Sequence, residues 1–498
     1  VFQLKTVLRR WRQDPARLAT WVGVSLYALL SLAYIILGEA NSDEGWYLYA
    51  SKLVFSGALP YQDFAYTQMP LMPYIYGVIQ VIRPSLILGR LCSLVFSLGT
   101  LAMCVVIAKR CAGKWAGGVT ALLLAVFTFG IYFNAIVKTY SLLSFFFAAT
   151  LFVLTSKQSE TRKYVLALAF AFAAVLIRVT AFFFVAPILL YLFVVAKCSL
   201  SRVLIVVESA AASLLAAIFL LPDWQAARWG LFDSHLRHWA GAGVSTQVYH
   251  ILADRLPFII ESFTPVLILF IASVYFLLRH PQRRLWIRQH IDLMVFTASL
   301  GLFAASHLAN GLWEIEYLVP ALTNFFPVTA IMLDEVNRKL GDESRIFLQG
   351  ALFAALLILP LDESIQHIDI TGRRLPIAEI DQVANLIAQN SLPTDNVLAL
   401  EALGASVNAN RSILPGLTLA QFSVQLMDTE TARRYHVVNV AMLADEIAGD
   451  DASRRVDRPR LGLLYANDAP SARRCNARSI RITVSRSRSL TGADSRIR

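Results

Sequence analysis

The chain has 498 residues, of which 57% are hydrophobic and only 16% charged, with a mean hydropathy of +0.57. That excludes an ordinary soluble multidomain protein and reads as a polytopic membrane protein with spans of roughly 20 apolar residues each. Most of the +11 net charge is local: Arg454 to Arg498 sets twelve arginines against Asp457, Asp468 and Asp494, so the body of the chain implies no nucleic-acid partner.

A basic start (Lys5, Arg9, Arg10, Arg12, Arg17) leads into the first apolar run without an A-x-A cleavage site, as an uncleaved anchor would. Apolar runs predict about eleven spans, near 19–38, 86–108, 115–133, 139–156, 163–177, 179–196, 203–222, 257–278, 291–309, 317–334 and 346–361. With the N-terminus inside, inner segments hold twenty Lys and Arg and outer segments seven, which fixes the orientation by the positive-inside rule. The segments 41–77 and 223–256 and the region after 361 then face outward. The five cysteines (Cys92, Cys104, Cys111, Cys198, Cys475) lack CxxC or CxxxC spacing, and neither a metal site nor a disulfide framework is inferred.

The first outer segment, NSDEGWYLYASKLVFSGALPYQDFAYTQMPLMPYIYG over 41–77, concentrates the polar and aromatic chemistry. Trp46, Tyr49 and Leu53 at helical spacing, with Ser42 as N-cap, predict a short helix lying in the membrane interface with its Trp and Tyr at the headgroups. A second short helix is predicted around Pro70–Tyr76. Asp43 and Glu44 open the first helix, where the helix N-terminus favours an ionised carboxylate able to take a proton from an incoming hydroxyl. On residue types alone, two capping carboxylates explain the pair equally well.

Beyond residue 361, Pro376–Asn390 is a predicted amphipathic helix, Asn396–Glu401 a strand and Asn408–Leu417 a turn-rich loop. The expected organisation is mostly α: a membrane domain over 1–361 with its first outer loop at 39–85, a small outward α/β region over 362–452, and a disordered Arg/Ser-rich tail over 453–498. Arg178 is isolated between apolar spans, where an unpaired charge is costly and marks a functional candidate. His235 and His238 with Asp233 form a weak metal-like pattern that ordinary loop chemistry explains better.

The 43–77 motif resembles the first outer loop of GT-C membrane glycosyltransferases, in particular the family 39-like enzymes that include protein O-mannosyltransferases and lipid A aminoarabinose transferases. The similarity continues in Gly89-Arg90-Leu91 and in Glu316-Tyr317-Leu318 with Pro320. The resemblance implies an inverting transfer of a hexosyl or pentosyl group from a polyprenyl-phosphate sugar to a glycan, lipid or protein hydroxyl outside the membrane. It matches Asp43 to the general base and Glu44 to its supporting partner. Cations are then needed for the leaving lipid phosphate, and Lys138, Arg178 and Arg90 are the candidates, with Arg90 more readily read as a packing ion-pair partner for a carboxylate of the first loop. Tyr61, Asp63, Tyr66, Gln68, Glu316 and Tyr317 are expected to orient the loop or the substrate. Where several relatives carry a second acidic residue, this chain has Lys138-Thr139-Tyr140-Ser141. That departure argues against the aminoarabinose and protein-mannosyl branches and predicts no required metal or other cofactor. The expected location is a bacterial inner membrane with an extracytoplasmic C-terminus. A transporter or flippase of lipid-linked sugars is the alternative; it would favour polar sites near mid-membrane rather than at an outer boundary.

Overall fold

The computed structural model describes residues 14–192, 221–236, 244–279, 282–309, 313–339, 377–401, 403–453 and 483–485, with isolated positions at 208–209, 212, 346, 349–354 and 356. The membrane part runs through α1 (Pro15–Leu37), α2 (Ser42–Phe55), α3 (Leu71–Ile82), α4 (Leu86–Ala112), α5 (Lys114–Val126), α6 (Thr128–Ala135), α7 (Thr139–Leu154), α8 (Glu160–Ile177), α9 (Phe182–Leu190), α10 (Leu256–Arg279), α11 (Ile291–Leu308) and α12 (Val319–Lys339). Five helices among the described residues are long and apolar enough to cross a membrane, and the α5–α6 pair, bent by 72°, makes a sixth if taken as one span. The expected eleven are thus not all full-length helices: α3, α7 and the 179–190 run are shorter apolar pieces. The predicted runs 203–222 and 346–361 lie mostly outside the described residues.

Helix α1 shows how these sequences read inside out. Thr20, Gly23, Tyr27, Ser31 and Tyr34, spaced three and four apart, are buried, while Trp21, Leu29, Ile36 and Leu37 are exposed. Lipid tails are as apolar as leucine, so helix association relies on small residues for close approach and on polar side chains for hydrogen bonds. Both devices are present. A Cβ on Gly23 would sit 2.5 Å from the Ala121 carbonyl carbon of α5, and the Tyr27 hydroxyl pairs with Ser97 Oγ of α4 at 2.5 Å. Asp14 caps α1 and Pro15 opens it, a position where the missing N–H costs nothing.

The two ends of the bundle carry different charges. At one end Lys114 pairs with Asp14, Lys163 with Asp292, and Arg338 donates to the Ala112 carbonyl. At the other end lie Asp43, Glu44, Arg90, Lys138 and Glu316. The helix expected at the interface is instead enclosed by protein. Trp46, Tyr47 and Tyr49 of α2 are all buried, with membrane helices on one side and the C-terminal region on the other.

That C-terminal region comprises α13 (Ile377–Asn390), β1 (Asn396–Leu398), α14 (Leu403–Asn408) and β2 (Ser412–Ile413). β1 pairs parallel with β2 and antiparallel with β3 (Thr483–Ser485), giving the order β2-β1-β3. β3 is the described part of the basic tail; Lys, Arg and Ser elsewhere in 454–498 lie outside the described residues. α13 buries Ile377, Ile380, Val383, Ala384 and Ile387 on one face, the amphipathic pattern expected of it. Docking onto α2 is close: a Cβ on Gly45 would meet the Gly404 nitrogen at 2.4 Å and the Leu403 Cβ at 2.7 Å. Ile413 N–H donates to the Tyr49 hydroxyl at 3.1 Å, Leu86 N–H to Asn408 Oδ1 at 2.8 Å, and Thr418 Oγ1 to the Ala65 carbonyl at 3.1 Å.

Candidate active site

Helix α2 begins one residue earlier in its capping than the sequence suggested. Asn41, rather than Ser42, is the N-cap: its Oδ1 accepts the Asp43 N–H at 3.1 Å, and Glu44 Oε2 accepts the Asn41 N–H at 3.0 Å. This capping box fixes the two adjacent carboxylates on different sides of the first turn, about 100° apart.

Glu44 turns inward. Its Oε1 accepts from Arg90 Nε at 2.8 Å and from the Val137 N–H at 2.9 Å; its Oε2 accepts from Arg90 Nη2 at 2.6 Å besides the Asn41 N–H. Arg90 also gives its remaining donors to the carbonyls of Tyr34 (2.9 Å), Gly38 (3.4 Å) and Glu39 (2.6 Å). All five guanidinium N–H groups are engaged, and both side chains are at most 1% exposed. Gly89 permits the approach, since a Cβ there would press on Leu48 and Val137 at 2.8 Å. Arg90, expected to bind donor phosphate, therefore has no donor left for one. Glu44, expected beside the base, is instead committed to holding α1, α2, α4 and the 136–138 link together.

Asp43 turns outward and keeps 24% of its side chain exposed. Lys138, in the link between α6 and α7, places Nζ 2.9 Å from Asp43 Oδ2 and 3.1 Å from Glu316 Oε1. The expected phosphate ligand thus bridges two carboxylates, one of them from a residue expected only to orient substrate. Nζ also lies 5.8 Å and 5.7 Å from the ring centres of Phe133 and Tyr140. Burial works against its charge, but Asp43, Tyr140 and Glu316 outweigh it and raise its pKa well above the ordinary lysine value. Glu314, beside this group, is pushed above the usual carboxylate range by burial and then by Glu316.

Arg178 sits where α8 stops, and its guanidinium stacks 4.1 Å over the Tyr317 ring and reaches the Tyr140 hydroxyl. It is buried and, among the described residues, has no carboxylate within ion-pair distance. Tyr317, Tyr140 and Tyr47 surround it, and Tyr47 also adjoins Asp43. His307 completes this wall: its ring lies 5.2 Å from that of Tyr317, and Nε2 is 3.1 Å from Thr180 Oγ1. Tyr140, Tyr47 and His307 were not singled out in the sequence. The signal for His307 was present, an ionisable side chain at the end of an apolar span.

The remaining loop residues divide by role. Asp63 Oδ2 accepts the Leu59 N–H at 2.7 Å, and Tyr61, at a left-handed φ of 68°, donates its hydroxyl to the Gln68 carbonyl. Asp63, Tyr61 and Gln68 thereby hold the shape of the 59–68 loop. Tyr66 is buried with no partner for its hydroxyl among the described residues, its ring 5.8 Å from Trp46. A helical segment over 224–236 closes on the same loop, with Gly230 against the Tyr66 carbonyl and His235 Nε2 3.3 Å from the Thr67 carbonyl. His238, its partner in the weak metal-like pattern, lies outside the described residues.

Residues 67–224 match the family model described as dolichyl-phosphate-mannose-protein mannosyltransferase. No curated protein sequence matches the chain. Among solved structures, ArnT from Cupriavidus metallidurans bound to undecaprenyl phosphate superposes with a TM-score of 0.61 at 11% identity, covering 94% of this chain and 97% of that one. Its apo form gives 0.61 at 12% identity, covering 95% and 98%. Over nearly its whole length the chain thus has the fold of these structures, and over residues 67–224 it is similar to the mannosyltransferase family.

Proposed function

We propose that the protein transfers a hexosyl or pentosyl group from a polyprenyl-phosphate donor to an acceptor hydroxyl, with inversion, on the extracytoplasmic face of a bacterial inner membrane. The observation that carries this reading is the juxtaposition of one accessible carboxylate with one buried guanidinium that no carboxylate among the described residues pairs with: Asp43 on α2 and Arg178 at the end of α8. Both adjoin Tyr47 and Tyr317. A neighbour of the same fold binds undecaprenyl phosphate, which supports a lipid-phosphate ligand here.

In this mechanism Asp43 accepts the acceptor's hydroxyl proton as the oxygen–carbon bond forms on the face opposite the departing phosphate. The sugar carbon passes through an oxocarbenium-like state and the lipid phosphate leaves with the bonding electron pair. Arg178 stabilises that growing negative charge from a water-poor site, where a fixed cation acts most strongly. Lys138 keeps Asp43 in place and has one ammonium proton beyond the two given to Asp43 and Glu316.

The test is sugar transfer by purified protein from a panel of polyprenyl-phosphate sugars to acceptors in a membrane extract, with Asp43→Asn alongside. Transfer by the wild type, reduced about 10²–10⁴-fold in Asp43→Asn while donor still binds, is the expected result. Equal transfer by both removes Asp43 as base. Donor movement across a reconstituted bilayer without transfer would make the protein a flippase.

A further inference from the structure

We propose that the Lys138 ammonium is a built-in counter-cation, occupying the place a divalent ion would take between Asp43 and Glu316, so that the site operates without a metal. The two carboxylates come from elements far apart in the chain, the first turn of α2 and the short helical turn Ile315–Leu318, and Nζ meets one oxygen of each at 2.9 Å and 3.1 Å. Magnesium-like ions commonly rest on one or two carboxylates and keep several waters, and manganese favours the same oxygen ligands. Asp43 and Glu316 offer such a pair of ligands, and the ammonium stands between them.

The lysine is held there as firmly as a ligand would be. Its side chain is buried, its Nζ lies 5.8 Å and 5.7 Å from the centres of the Phe133 and Tyr140 rings, and its backbone N–H donates to the Ile136 carbonyl at 3.0 Å. The groups facing it are Asp43 and Tyr47 from α2, Tyr132 from α6, Tyr140 from α7, and Glu314, Glu316 and Tyr317 before α12. Without the ammonium, Asp43, Glu316 and Glu314 would leave a concentration of negative charge that repels itself and attracts a cation.

The consequence for catalysis rests on the transferase reading, but the cation exchange does not, and it is measured without donor or acceptor. Mn2+ is titrated calorimetrically into purified wild type, Lys138→Glu, Lys138→Met, Lys138→Arg and the double variant Lys138→Glu/Glu316→Gln. Expected is at least about tenfold tighter Mn2+ binding in Lys138→Glu and Lys138→Met than in the wild type, equivalent to about 1.4 kcal/mol. The double variant should lose that gain, and Lys138→Arg should behave as the wild type. Lys138→Met retains a packed stem and serves if the added charge of Lys138→Glu prevents folding. Wild-type binding as tight as in the variants, or no binding in either variant, overturns the proposal. So does wild-type transfer that EDTA abolishes and Mn2+ restores.

Discussion

Two ion clusters lie within one helical turn of each other and are built on opposite plans. Glu44 and Arg90 form a closed cluster in which four donors meet two carboxylate oxygens and all five guanidinium N–H groups are used. Asp43, Lys138 and Glu316 form an open one, with Asp43 partly exposed, one ammonium proton to spare and nearby Arg178 without a carboxylate partner among the described residues. Adjacent acidic residues in the sequence are thus unequal in chemistry. What separates structural from functional charge here is saturation: a fully satisfied buried pair has nothing left to offer a ligand.

The comparison is open to several breaks. The largest concerns the two carboxylates themselves. Glu44→Gln unbalances a buried pair and should cost about 3–5 kcal/mol, seen as a lowered thermal unfolding midpoint in detergent. Asp43→Asn leaves Lys138 paired with Glu316, so its midpoint should fall far less while transfer is nearly lost. If Glu44→Gln unfolds normally and only loses activity, the closed cluster is catalytic after all. Next, Arg178→Gln should weaken donor binding about 10–100-fold, the value of a charge-assisted hydrogen bond, with the midpoint held. An unchanged donor affinity would move the phosphate elsewhere, Lys138 being the first place to look. The smallest change sharpens the role of the helix that carries both clusters: Gly45→Ala should cost about 1–3 kcal/mol by overpacking and expose the 403–408 segment to protease. A neutral outcome would mean the C-terminal region yields without strain.

Much of the membrane part was legible, because long apolar runs and basic flanks are strong local signals. The 41–77 stretch and Arg178 stood out for the same reason, as charge and aromatics where an apolar chain has little cause to place them. Contacts between distant parts were not legible. Lys138 and Glu316 are 178 positions apart, and nothing local in either says that an ammonium there meets a carboxylate rather than a phosphate. Arg90 reads the same from sequence whether it binds a ligand or a neighbouring helix. Trp46, Tyr47 and Tyr49 matched the composition of a membrane-interface helix, yet all three are buried, Tyr49 against the C-terminal region, a partner no pattern within α2 announces. Ser42 and Asn41 are both good caps; the reciprocal bond from Glu44 selects Asn41.

The clamp on α2 also sets an order of assembly. Tyr49 and Ile413, which share a hydrogen bond, are 364 positions apart. At about 5–20 residues per second, the ribosome makes Ile413 roughly 20–70 s after Tyr49. For that interval the helix bearing Asp43 has its membrane-side neighbours but not its outer cover, so the face of α2 at Gly45 and Tyr49 stays open until residues 403–413 are made. Residues 403–413 thus act as the lock on a site whose parts were synthesised first.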